Sequence, residues 1–126
     1  AKRAMDPNIV VDFELQEEAF FLCIRNLSEG PAFDLKFEFS TPLYGRSRTL
    51  RIDQLPVFRR LRYLAPRKEI RIFVDTLPAF LAHQEERELK VRIRYKVEDG
   101  DTLKKSFPHD LRIYEDLPLH SSASSI

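Results

Sequence analysis

AFDLKFEFS (32–40) is the stretch on which the fold class turns. Phe33, Leu35, Phe37 and Phe39 take alternate positions, with Asp34, Lys36, Glu38 and Ser40 between them. A period of two puts the apolar set on one face of a strand; a helix would scatter the same four side chains around its circumference. ELKVRIRYKV (88–97) repeats the pattern, with Leu89, Val91, Ile93, Tyr95 and Val97 alternating against Lys90, Arg92, Arg94 and Lys96. The two apolar faces are expected to oppose one another across a core.

Outward from these segments the same period recurs. NIVVDFEL (8–15) sets Ile9, Val11, Phe13 and Leu15 against Asp12 and Glu14, and AFFLCIRN (19–26) carries Phe20, Leu22 and Ile24 on one face. The short gap between them suits a hairpin. EIRIFVD (69–75) alternates through Ile70, Ile72 and Val74. EDGD (98–101) offers Asp99-Gly100 for a tight turn, so TLKKSFPHDLRIY (102–114) should return as the partner of 88–97, bent or bulged near Pro108. The middle is less regular. SRTLRID (47–53) suggests a strand, LPVFRRLRYLAP (55–66) a turn of helix and a short edge strand ending at Leu64, and TLPAFLAHQEE (76–86) one or two helical turns.

RNLSEGPAF (25–33) connects two of the strong strands. Gly30 suits a positive φ, Pro31 fixes its own φ and lacks an amide hydrogen, and Asn26 suits an Asx-type turn. These features describe a corner between strands. Seven or eight short strands with turn signals between them predict an all-β, immunoglobulin-like antiparallel β-sandwich with one or two short helical turns. A closed eight-stranded barrel is the alternative. The expected organisation is a cloning scar or linker over 1–7, one domain over 8–117 and a disordered Ser-rich tail over 118–126.

The chain of 126 residues is 43% hydrophobic and 33% charged, which places it with ordinary soluble globules. Ten Phe and four Tyr against no Trp and three Gly predict a core of Phe and β-branched side chains. The single cysteine, Cys23, forbids an internal disulfide and fits a reducing compartment. No apolar run approaches the roughly 18 residues that span a bilayer. A cytoplasmic setting, with a position at the cytosolic face of a membrane as a further option, follows as the expectation.

The order of turn motifs resembles that of bacterial immunoglobulin-like sandwich domains. The positions that carry the likeness are Asn26, Gly30, Pro31 and Ala32; Leu64, Pro66 and Glu69; and Tyr95, Asp99 and Gly100. They cover about residues 8 to 116. The chain is similar to cell-adhesion-related modules and to uncharacterised domains that follow membrane helices in small bacterial proteins. It departs from their pattern at Leu27 and Ser28, where a Gly usually follows the Asn, and at Arg67, where a Gly usually follows the Pro. The shared motifs are turn chemistry, so the resemblance implies a fold and transfers no ligand residue.

Chemistry is sparse. His83, His109 and His120 lie apart, with no zinc-like spacing, no Gly-rich phosphate loop and no nucleophile-elbow context. No enzymatic activity, cofactor, metal or small-molecule substrate is expected. Charge is the uneven feature: residues 44–72 hold nine Lys/Arg against two Asp/Glu. Arg46, Arg48, Arg51, Arg59, Arg60, Arg62, Arg67, Lys68 and Arg71 form this basic segment, and the polar face of 88–97 adds four more cations. A solvated face whose like charges discourage edge pairing explains the segment without function. An anion-binding surface explains it with one. The expected function is a non-enzymatic interaction or scaffolding module with a protein partner, with the soluble domain of a membrane-anchored bacterial protein as one setting. The alternative is an electrostatic binder of nucleic acid or anionic membrane through residues 46–71, with Tyr44 and Tyr63 as stacking candidates.

Overall fold

The computed structural model describes residues 6–118. Residues 1–5 of the predicted linker and 119–126 of the predicted tail lie outside that range. The period-two segments form β1 (Ile9–Gln16), β2 (Ala19–Asn26) and β3 (Ala32–Phe39). A two-residue ladder follows, β4 (Tyr44–Gly45) with β5 (Leu50–Arg51), then a 3-10 turn over Ile52–Gln54. Helix α1 (Val57–Arg60), β6 (Tyr63–Leu64), β7 (Glu69–Thr76) and helix α2 (Leu77–His83) come next, and β8 (Glu88–Lys96) and β9 (Thr102–Asp110) complete the order. The fold is mostly β. Among the described residues nine strand segments stand where seven or eight were expected; the addition is β4, and SRTLRID keeps only two strand residues before Ile52 winds into the turn.

Two antiparallel sheets carry the long strands, in the orders β1-β2-β7 and β6-β3-β8-β9. They do not close into a barrel. One cluster of buried side chains joins them: Ile9, Val11, Leu22 and Ile24 from the first sheet, Leu35, Val91, Ile93 and Tyr95 from the second. Phe20 is buried at its centre, stacked on Phe13 at 5.1 Å and against Phe80 of α2 at 4.8 Å. Rings at such separations add to the area-dependent stabilisation of the core.

The face predicted for AFDLKFEFS holds at Leu35, Phe37 and Phe39 but fails at Phe33. Asp34 takes a left-handed conformation (φ 51°), and the β3–β8 register shifts between Phe33 and Lys36. A bulge inserts a residue and reverses the alternation on one side of it. Phe33 therefore lies opposite Lys96 on the outer face, where its ring meets that of Tyr63 at 5.5 Å, and Ala32 takes the inward place. Asp is among the few non-glycine residues that tolerate such a backbone. Phe37 and Phe39 are half-buried and pack edge-on against Phe58 of α1 at 5.2 and 4.9 Å. The bulge expected near Pro108 is absent: β9 stays in unbroken register with β8, and an edge strand accommodates the missing donor.

The corner at 26–31 works through a side chain more than through its glycine. Gly100 (φ 92°), and not Gly30, is the positive-φ glycine among the described residues. Asn26 is buried and donates from Nδ2 to the carbonyls of Gly30 (2.8 Å), Ala65 (3.2 Å) and Leu64 (3.3 Å). Its Oδ1 accepts from the amide and hydroxyl of Ser28, which is the expected Asx turn. Because Leu64 belongs to β6, this amide ties one sheet to the other. Arg67 stands in the left-handed place of the next turn (φ 62°) and reaches back to Leu27 O and Glu29.

Candidate functional site

The nine cations of the basic segment do not form one surface. Arg48 lies 4.3 Å above the Tyr44 ring and donates to His83 O, which occupies the tyrosine face that stacking on a base requires. Arg51 grips Asp53 with both Nε and Nη2; burial alone raises that carboxyl's pKa, but Arg51 and the Leu43 amide outweigh it and hold it below its ordinary range. Arg67 is engaged at the corner, where Lys68 is exposed, and Arg46 sits in the β4–β5 loop. Arg71 belongs to the outer face of β1-β2-β7, 4.2 Å over the Phe21 ring and 3.4 Å from Glu14. Only Arg59, Arg60 and Arg62 gather, around a depression at the β3 edge that they share with Asp34 and Lys36.

Through Lys36 that depression adjoins the outer face of the second sheet. Register places Lys36 of β3 opposite Arg94 of β8, and Arg94 opposite Lys104 of β9. Three cations thus stand in one transverse row. Among the described residues none of the three side chains has an ion-pair or hydrogen-bond partner. Like charges directly opposite one another destabilise a sheet, so the row costs the fold energy that no internal contact returns. In the next row Arg92 meets Glu38 at 3.4 Å, both well exposed. Three shallow depressions, lined in turn by Arg59 and Arg62, by Arg92 and Lys104, and by Arg94 and Lys96, all include Lys36. On the same face Tyr63 is 54% exposed, in register with Phe33. The cations of β8 are legible in its alternation, whereas Lys36 and Lys104 lie far away along the chain and join them only through strand pairing.

The remaining chemistry-bearing groups are structurally engaged. Glu14, Cys23 and Glu69 bring their ligand atoms within 4.8 Å of one another. Arg25 bridges both carboxylates and Arg71 approaches Glu14, so two guanidinium groups neutralise the pair. The Cys23 Sγ donates to Glu14 at 3.6 Å, and burial pushes the thiol pKa upward, which keeps it protonated. Cys23 is buried as expected, although it belongs to the outward row of β2. His109 Nε2 lies 3.1 Å from Val11 O; a carbonyl only accepts, so this nitrogen carries the proton. Burial lowers the His109 pKa. His83 ends α2, and His120 lies outside the described residues. No helix among the described residues is long and apolar enough to cross a membrane.

A mostly-β domain of two antiparallel sheets, with a cationic row on one outer face, is the class these observations define. The chain belongs to the family described as a domain of unknown function, DUF8453, whose model matches residues 1–115. No curated protein and no solved structure matches it.

Proposed function

We propose that the protein is a non-enzymatic interaction module, built as an immunoglobulin-like β-sandwich, that engages an anionic partner through the outer face of β6-β3-β8-β9. The strand orders support this reading: β1, β2 and β7 take the places of strands A, B and E in it, and β3, β8 and β9 those of C, F and G. The observation that carries the functional reading is the unpartnered row Lys36–Arg94–Lys104. A sheet face evolved only for solubility would gain by alternating its signs across strands. This face keeps one sign where three strands align, and an external anion supplies the missing partner. The lone buried Cys23 suits a reducing compartment.

Retention on heparin at low salt tests this reading. Binding is expected to be lost by about 0.3 M salt, since released counterions make such contacts steeply salt-dependent. Arg94→Glu should abolish retention with little change in melting temperature, whereas Lys68→Glu, at the distant corner, should leave most of it. Equal loss from both substitutions would remove the row from the account.

A further inference from the structure

We infer that the anion taken by this face is a single-stranded nucleic acid, with its phosphates on Lys36, Arg94 and Lys104 and a base stacked on Tyr63; the inference rests on the anionic-partner reading above. Four features of the face favour this occupant. The cations are spaced by the distance between strands, about 4.8 Å each, so the row spans a length that consecutive phosphates of an unstacked strand can match. They line a trough, with Arg59, Arg60 and Arg62 at one end and Lys104 at the other, and a trough guides a flexible polyanion. The aromatic pair stands on the same face: Phe33 faces outward opposite Lys96, and the half-exposed Tyr63 packs its ring on Phe33 at 5.5 Å. Finally, the Phe33 row lies two residues along β8 from the Arg94 row, about 7 Å at strand rise. That offset suits a base reaching sideways from a backbone held on the cations.

The bulge at Asp34 creates this arrangement. Without it Phe33 would point into the core with Leu35, and Tyr63 would have no ring beside it. A lipid head group and an acidic peptide carry no base to stack on the Tyr63–Phe33 pair. Every base has a π face, so the predicted binding tolerates sequence and depends on strandedness. In a duplex the base faces are covered.

Fluorescence anisotropy of the full chain tests the inference with labelled oligothymidylate, the same sequence as a duplex, a poly-glutamate peptide and phosphatidylserine-containing vesicles as probes. Oligothymidylate should bind most tightly. Tyr63→Ala should weaken it by about 5- to 150-fold, the range of one stacked base, with unchanged thermal unfolding, and Tyr63→Phe should restore it. Lys36→Gln with Arg94→Gln should reduce the salt slope by about 1.4, near 0.7 per phosphate contact on a single strand. If poly-glutamate, duplex or vesicles bind as well as oligothymidylate and Tyr63→Ala has no effect, the nucleic-acid inference is overturned while the anionic-partner reading stands. If no probe binds and heparin does not retain the protein, both fall.

Discussion

On the outer face of β1-β2-β7 the charges are matched: Arg25 bridges Glu14 and Glu69, and Arg71 lies between Glu14 and the Phe21 ring. On the outer face of β6-β3-β8-β9, Lys36, Arg94 and Lys104 share a row with no acid between them. Both faces belong to one small domain, share one core and are wetted by the same solvent. The matched face is complete in itself, and its ion pairs cover a buried thiol. The unmatched face is not. The difference teaches that charge content alone does not mark a binding surface; what marks it is whether the fold supplies the opposite charge.

The largest expected effect lies beneath both faces. Phe20 is fully buried and touches Phe13, Phe80 and Tyr114. Phe20→Ala should destabilise the domain by about 3–5 kcal/mol in chemical denaturation. A loss much below that would mean that the first sheet does not depend on this aromatic cluster.

Asn26 holds the sheets together at one edge. Asn26→Ala removes a donor from the carbonyls of Gly30, Leu64 and Ala65, of which Ala65 keeps the Lys68 amide and Gly30 the Ser28 hydroxyl. A loss of about 2–3 kcal/mol is expected, the scale of leaving buried polar groups unsatisfied. Asn26→Asp keeps the acceptor for Ser28 but removes the donors, so it should be no better than alanine.

The comparison itself is sharpened by two truncations of opposite sign. Arg25→Ala leaves Glu14 and Glu69 facing each other and should cost about 1 kcal/mol or less, because these groups are partly exposed. Arg94→Ala relieves repulsion within the row and should be neutral or stabilising by a few tenths of a kcal/mol. Thermal melts at low salt resolve the two. If both truncations destabilise alike, the unmatched row has structural partners and the distinction collapses.

The smallest effect concerns the opposite edge, where His109 of β9 reaches Val11 O of β1 and stacks edge-on against Phe13 at 5.0 Å. Burial lowers its pKa in the folded state, so below about pH 6.5, the ordinary histidine value, the unfolded chain binds more protons than the folded one. Stability should therefore be full above that pH and decline as the pH falls through it toward the lowered folded value. The nearby Asp12, 4.0 Å from Nδ1, opposes the shift and keeps the effect small. Denaturation curves at pH 7.5 and pH 5.5, about one unit either side of the ordinary value, check it: His109→Gln should flatten the difference.

Much of this was legible along the chain. Alternation at 9–15, 20–24, 70–74 and 89–97 placed the strands, because the period of side chains on an extended backbone is a local stereochemical fact. The Asp99-Gly100 turn and the Asn26 corner were readable for the same reason, since a turn is decided by a few neighbouring residues. The site was legible in part. The density of Arg along 46–71 says nothing of where those side chains go: residues close in sequence lie on the β4–β5 hairpin, at the β3 edge, at the corner and on the far sheet.

What the sequence by itself determined, then, is the set of strands, their turns and the sign of the charges they carry. Tertiary structure decided which charges became neighbours. Lys36 and Lys104 meet across Arg94 only because β3 and β9 both pair with β8, and pairing register between distant strands is settled by how whole apolar faces pack. Tertiary structure also overruled the alternation at Phe33: matching β3 to β8 placed a bulge at Asp34, and one extra residue in a period-two chain reverses every side chain beyond it.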